Sequence, residues 1–322
     1  MHRGSWRWPL LLGWCLLAWG PSALSAGAPC EPTTQEKPSA PAPTALIFSG
    51  GGAKGAYEAG VASVFLSRGV EIRLVAGTSA GALNATMVAA GQAELLEAMW
   101  RGITREQVYF LRPSIFFAGL LPGWLTLWQV NRAGSLFDSS PLRALIESRL
   151  DLERVRRSPI RLLIVTADLE RREKRVFDNR SVSVDALMAA VAVPGAFPPV
   201  VVDGRLLFDG GLTGRAPVLD ALELGGALDR ALVAMSYAAG ERGSPPTTIR
   251  RALEEAFEMG MTYQIQRDVE LARLKHPQVE IHLLAPSSPL RLRPLEFEPA
   301  ALTRALEQGK SDGLACLTKL GY

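Results

Sequence analysis

Twice between Thr44 and Ala90 a short apolar run ends in glycine and passes into a small-residue helical pattern. The first unit is Thr44-Ala45-Leu46-Ile47-Phe48-Ser49, followed by Gly50, Gly51, Gly52 and Gly55 and a helical pattern over 53–67. The second is the strand pattern of Ile72 to Ala76, the turn Gly77-Thr78-Ser79-Ala80-Gly81 and a helix to about Ala90. Apolar runs without alternation suit strands covered on both faces, and strands alternating with helices imply parallel neighbours joined by right-handed crossovers. The rhythm resumes with strand patterns at 160–167, 205–208, 231–237 and 279–284 and helical patterns at 183–193 and 247–275. The expected fold is therefore α/β, a three-layer α/β/α sandwich around a mainly parallel central sheet.

The first 28 residues read differently. Arg3 and Arg7 precede an apolar run from Trp8 to Trp19, and small residues follow from Ser22 to Ala28. The run is short for a membrane span and has the layout of a cleavable signal peptide, so residues 1–28 are expected to be removed on export to the periplasm or the cell exterior. An uncleaved signal anchor is the alternative. Residues 29–43, rich in Pro, Thr and Ala, read as an extended linker, and 44–322 as one folded domain. Within that domain the core motifs fall at 46–218, an aromatic cap or lid at 105–135, and further helices and a strand at 219–322.

Without the two arginines of the leader the chain carries 33 basic and 32 acidic residues. That balance argues against nucleic acid as a partner. Cys15 falls in the leader, leaving Cys30 and Cys316; with no C-x-x-C pair, neither a zinc site nor a thiol redox centre is expected. The two can form a disulfide in an exported protein. Lipidation of Cys30 is the alternative, which the preceding Pro29 fits badly.

Three segments carry chemistry. Gly77-Thr78-Ser79-Ala80-Gly81 is G-x-S-x-G at a strand-to-helix junction, where a sharp turn presents the serine hydroxyl and the free N–H groups of a helix start favour developing negative charge. In the glycine loop, consecutive N–H groups of Gly50, Gly51, Gly52 and Ala53, with that of Ala80, can gather around one oxyanion. Lys54 and Gly55 complete that loop. Asp209-Gly210-Gly211 follows an apolar strand and places a carboxylate at a tight turn. The glycine loop also spells G-x-G-x-x-G, a dinucleotide fingerprint, but that reading needs an acid after the second strand, where Gly77-Thr78-Ser79 stands. His282 preserves the chain order of a Ser–Asp–His triad, yet it lies inside a predicted strand rather than in a loop beyond it.

Gly50-Gly51-Gly52-Ala53-Lys54-Gly55, Gly77-Thr78-Ser79-Ala80-Gly81 and Asp209-Gly210-Gly211, in that order, resemble the patatin-like phospholipase family. The resemblance extends through Leu136-Phe137-Asp138-Ser139-Ser140-Pro141-Leu142 and Val193-Pro194-Gly195-Ala196-Phe197-Pro198-Pro199. It implies a Ser79–Asp209 dyad without histidine, an oxyanion hole from the glycine loop, and hydrolysis of lipid acyl esters through an acyl-enzyme, with no metal or organic cofactor. Gly77, Gly81, Gly210 and Gly211 support the turns. Two positions depart from the family pattern: Arg215 stands where Asn is frequent and Ala190 where Ser is common. A non-catalytic lipid-binding relative is the second reading. The aromatic run of 109–130 is broken by Pro113, Gly119, Pro122 and Gly123, so it cannot be one spanning helix; it reads as a packed cap or as a lid meeting a membrane surface, with Trp124 and Trp128 at headgroup level.

Overall fold

The computed structural model describes Cys30 and residues 42–118, 123–238 and 245–322. The leader and most of the linker lie outside the described residues. Among the described residues ten strands are formed: β1 (Thr44–Phe48), β2 (Ile72–Gly77), β3 (Phe110–Leu111), β4 (Phe137–Asp138), β5 (Arg161–Asp168), β6 (Glu173–Asp178), β7 (Val200–Val202), β8 (Arg205–Asp209), β9 (Arg230–Ala234) and β10 (Glu280–Leu284). The central sheet runs β10-β9-β1-β2-β5-β8-β7, with β6 also paired to β5. From β10 to β5 every pairing is parallel; β6, β8 and β7 are antiparallel additions. Strands β3 and β4 form a separate short ribbon.

Helices α1 (Gly55–Ser67), α2 (Ala80–Ala89) and α3 (Ala93–Gly102) follow the first two strands. They are succeeded by α4 (Arg105–Val108), α5 (Pro113–Ala118), α6 (Gly123–Arg132), α7 (Ser140–Arg149), α8 (Leu152–Arg156), α9 (Val184–Ala190), α10 (Val218–Leu224), α11 (Ile249–Lys275) and α12 (Pro299–Leu320). Alternate strand residues point to opposite faces, so β1 divides its side chains between two cores. Leu46 and Phe48 join the larger core with α1, α2, α9 and α12. Ala45 and Ile47 join the smaller one with α10 and α11. This is the expected three-layer α/β/α sandwich with a mainly parallel sheet.

The parallel half follows from β1, whose five residues are all buried, as a strand covered on both faces requires. The antiparallel half departs from the simple βα rhythm. The sequence pattern shows no separate strand at 173–178 or 200–202, because both are short and partly polar: the side chains of Glu173, Lys174 and Val201 are exposed. Strand β8 therefore delivers Asp209 from the opposite chain direction, with Asp209 level with Thr166 of β5. Gly77 at the end of β2 is level with Ile164. Ser79, two residues beyond Gly77, and Asp209 still reach one end of the sheet.

A disulfide joins Cys30 to Cys316 on α12, with Cα atoms 5.1 Å apart. Helix α12 packs lengthwise on α1 through facing glycines: a Cβ on Gly309 would lie 2.0 Å from the Tyr57 carbonyl oxygen, and one on Gly60 2.1 Å from that of Leu306. The backbones touch where a methyl group has no room. Gly309→Ala is expected to destabilise the protein by about 1–3 kcal/mol, read as a lower urea midpoint at unchanged slope.

Candidate active site

The site is assembled around a serine held in an unusual backbone conformation. Ser79 has φ 53° and ψ −135°, a region L-residues avoid at a cost of about 1–3 kcal/mol. Its neighbours enforce it. Ser79 N–H donates to the Ala190 carbonyl at 3.1 Å. A Cβ on Gly77 would fall 2.3 Å from the Gly81 oxygen, and one on Gly50 2.4 Å from the Thr78 oxygen. The turn thus closes only with glycine at these places. Ser79 is buried and immediately precedes α2, so its hydroxyl sits at the positive end of that helix.

Asp209 closes β8 and is also buried. Its N–H donates to the Ala192 carbonyl at 3.0 Å. The end of α9 and the turn after it therefore hold both members of the predicted pair: Ala190 anchors the serine and Ala192 the aspartate. Asp209 Oδ1 accepts the Gly211 N–H at 2.8 Å. Oδ2 accepts no hydrogen bond of normal geometry among the described residues, yet the Ser79 hydroxyl is close enough to favour the ionised carboxylate. Burial raises the Asp209 pKa above the ordinary carboxylate range, and the Arg215 guanidinium, the Gly211 N–H and the Ser79 hydroxyl oppose that rise. A carboxylate with raised proton affinity is a stronger base than an exposed aspartate.

The glycine loop turns with φ values of 73°, 134° and 60° at Gly50, Gly51 and Gly52, a left-handed run that favours glycine. The predicted oxyanion donors divide here. Gly50 N–H donates to Glu58 Oε1 at 2.8 Å, and Ala53 N–H to the Pro294 carbonyl at 2.8 Å. Both are committed, which corrects their expected availability. Among the described residues, the N–H groups of Gly51, Gly52 and Ala80 have no such acceptor. Gly55 packs against Ala80 and Trp100, while Gly210 packs on the Val165 carbonyl. Lys54 does not extend into solvent: its Nζ lies 3.2 Å from both Glu258 oxygens and 4.1 Å from the centre of the Tyr237 ring.

Glu58 gave no signal in the sequence, since it reads as one polar residue of a helix. It is fully buried on α1. Its Oε1 accepts from Ser49 Oγ at 2.9 Å, Gly50 N–H at 2.8 Å and Ser236 Oγ at 3.0 Å. Asn84, which also accepts from Trp100 Nε1 at 2.8 Å, donates to Oε2 at 3.4 Å. One carboxyl thus ties the glycine loop to α2 and to the residues after β9. Burial pushes its pKa up to about 7, against the hydrogen bonds and Arg215 that lower it.

His282 takes no part in the site. It lies mid-strand in β10, separated from β2 by β9 and β1. Its Nε2 is 2.7 Å from Glu280 Oε1 and its Nδ1 3.9 Å from Cys30 Sγ.

An apolar cavity of about 110 Å³ opens beside Ser79 and Ala80, lined by Leu83, Met87, Trp100, Ile103, Ile146 and Phe197 among others. It adjoins a wider cleft of about 1140 Å³ through Val193, Phe197, Pro294, Leu295 and Phe297, which line both. The two outer sequence blocks meet at this cleft: Leu136 and Phe137 N–H groups donate to Gly195 and Ala196 at 2.9 Å. Tyr109 packs against Phe137, Phe197 and Phe297, and its hydroxyl donates to the Leu295 carbonyl at 2.7 Å.

A model of the patatin-like phospholipases matches residues 46–222, more than half of the sequence. The chain belongs to the patatin-like phospholipase family. Among curated patatin-like relatives, an uncharacterized NTE family protein of Mycobacterium tuberculosis is 31% identical over 175 residues, 54% of this chain and 44% of the relative. A patatin-like phospholipase domain-containing protein of Caenorhabditis elegans is 27% identical over 176 residues, 53% of this chain and 12% of that protein. The match therefore spans less than half the length of either. Among solved structures, VipD from Legionella pneumophila is similar at 16% identity and a TM-score of 0.46, covering 90% of this chain and 70% of that one.

The Glu58 carboxyl links pH to stability. Its native pKa, about 7, lies above the ordinary 4.5. Its stabilising contribution is thus full below about 4.5 and lost as pH rises through about 7, a swing on the order of 3 kcal/mol. Asp209, also raised, acts in the same direction. Glu58→Gln is expected to flatten the decline of unfolding free energy across that window, measured by urea titration at several pH values.

Proposed function

We propose that this chain is an exported acyl hydrolase that cleaves carboxylic esters of lipids, of the phospholipase A, lysophospholipase or lipase type, through Ser79 and Asp209. The observation that carries this reading is the suspension of both residues from the end of α9 and the turn after it, by Ala190 and Ala192, beside three N–H groups without an acceptor among the described residues. An acyl chain fits the apolar cavity next to Ser79. The ester carbonyl then lies within the reach of Gly51, Gly52 and Ala80.

The chemistry follows from that placement. Asp209 Oδ2 takes the Ser79 proton as Oγ attacks the carbonyl carbon, and the N–H groups hold the oxyanion. Collapse of the tetrahedral intermediate expels the alcohol, which takes the proton from Asp209. Water, giving a proton to the same carboxylate, then attacks the acyl-enzyme; fatty acid leaves and Ser79 recovers its proton. Because Asp209 must be ionised to begin, activity falls on acidification.

Two further features support a membrane-facing, exported enzyme. Phe116, Phe117, Trp124 and Trp128, on α5 and α6, are at least half exposed, between 51% and 72%. That is an apolar surface of the kind that enters a lipid interface. The Cys30–Cys316 disulfide suits an oxidising compartment, in keeping with the signal-like leader.

The deciding experiment compares fatty-acid release from phospholipid vesicles with p-nitrophenol release from a short-chain ester. Ser79→Ala and Asp209→Asn should each lower turnover by about 10³-fold or more, while His282→Ala keeps it. A correctly folded wild type inert on both substrates would favour the non-catalytic lipid-binding reading. Replacing Phe116, Trp124 and Trp128 together with serine should weaken vesicle binding by about tenfold or more and leave short-chain ester hydrolysis nearly unchanged. Equal loss of both would remove the interfacial role.

A further inference from the structure

Arg215 is a buried guanidinium whose hydrogen-bonding capacity is almost unused. It is 4% exposed. Of its five donors, one makes a hydrogen bond among the described residues, from Nη2 to the Tyr237 hydroxyl at 3.4 Å. Nε is buried without any acceptor. Asp209 and Glu58 feel its charge, but no carboxylate stands within ion-pair distance of it among the described residues. The other two arginines of the wide cleft are engaged: Arg105 with Glu106, and Arg293 with Glu296. Lys54 is engaged by Glu258.

Its place is as specific as its chemistry. The guanidinium lies between the two loops that build the site. A Cβ on Gly51 would be 3.4 Å from Nη2, and one on Gly211 3.1 Å from Nη1. Gly50, one residue along the same loop, packs against Ser79. The Arg215 backbone is tied there too, since the Thr78 hydroxyl donates to its carbonyl. The side chain therefore lines the cleft within one glycine-loop residue of the serine.

We propose that Arg215 is a specificity-determining residue that binds the phosphate of a glycerophospholipid or lysophospholipid whose ester lies at Ser79. The proposal rests on the hydrolase reading and names what distinguishes its substrates. With the acyl chain in the apolar cavity, the rest of the lipid projects into the cleft, and a phosphate follows the ester by one glycerol unit. A planar fork with free donors matches phosphate geometry. The ligand would supply the acceptors that the protein does not. Neutral glycerides bring no such group.

The test uses substrates that differ in the phosphate alone. Monomeric lysophosphatidylcholine and a monoacylglycerol of the same chain are compared for kcat/KM in the active protein and for binding to Ser79→Ala protein, each with Arg215, Arg215→Lys and Arg215→Gln. Arg215→Gln should weaken binding of the lysophospholipid to Ser79→Ala protein by about tenfold or more and that of the monoacylglycerol by less than about threefold, and should lower kcat/KM for the lysophospholipid by about tenfold or more beyond any loss that the missing counter-charge at Asp209 causes on both lipids. Arg215→Lys, which keeps the charge and loses the fork, should fall between and serves if the glutamine variant does not fold. Equal loss on both lipids would overturn the proposal and make Arg215 only a counter-charge for Asp209. No loss on either, or inorganic phosphate alone binding Ser79→Ala protein as tightly as the lysolipid, would overturn it as well. If the wild type hydrolyses neither lipid, the hydrolase reading fails while the binding comparison still decides the role of Arg215.

Discussion

The backbone of Ser79 is the constraint around which the site is arranged. At φ 53° and ψ −135° it cannot hold itself, and its supports come from distant parts of the chain. Gly50 approaches from the loop after β1, Gly81 closes the turn from α2, and Ala190 accepts its N–H from the end of α9. Each support belongs to an element fixed by the packed cores. The serine adopts its strained geometry only once the sheet and the helices above it are in place, so that folding itself offsets the local strain. The same turn carries the aspartate on Ala192. Ser79 and Asp209, the proposed nucleophile and base, therefore share one mount, and a shift of α9 would move both together.

Electrostatics form the second layer of the site. Glu58, Asp209 and Arg215 are three ionisable groups withdrawn from water. Burial raises both carboxyl groups, and the guanidinium partly compensates each. Left alone, an unpaired buried charge would be costly. Here the charges lie near one another without closing into an ion pair, which leaves Asp209 Oδ2 open for a proton and the Arg215 donors open for an anion. Glu58 uses its oxygens differently: it occupies Gly50 N–H and thereby fixes the loop that carries Gly51 and Gly52, the proposed oxyanion donors. The arrangement sacrifices stability near neutral pH for functional polarity, as perturbed groups at active sites commonly do.

Apolar surface completes the picture at two scales. Inside, a narrow cavity beside Ser79 is walled by leucine, methionine, isoleucine and Trp100, whose indole N–H is satisfied by Asn84. Outside, the α5 and α6 aromatics face solvent while Tyr109, a few residues earlier, turns inward to the cluster with Phe137, Phe197 and Phe297. One aromatic-rich stretch thus contributes both a wall of the cleft and an exposed surface near it.

The strands of the parallel half, the helices after β1 and β2, and α11 could be read from the sequence within a residue or two, except that β9 ends three residues earlier than its apolar pattern, because fully covered strands and glycine-punctuated turns impose local patterns. The family too was legible, in three glycine-marked blocks. What the sequence could not carry were features that depend on long-range packing. Strands β6 and β7 are short and half-exposed, so Asp209 arrives on an antiparallel strand rather than at the end of another parallel unit. Gly50 and Ala53 have the residue type and position of oxyanion donors, yet their N–H groups are taken by Glu58 and by Pro294, 241 residues further along the chain from Ala53. Glu58 and Ala192 look ordinary in one dimension, and Ala190 and Arg215 show there only as departures from the family pattern. The sequence by itself determined which residues can carry the chemistry, because a G-x-S-x-G turn and an Asp-Gly-Gly turn are local in their steric demands. Only the tertiary structure decided which donors are free, which carboxyl is buried and which cation is unpaired, because hydrogen-bond partners and desolvation are set by whatever the fold brings alongside.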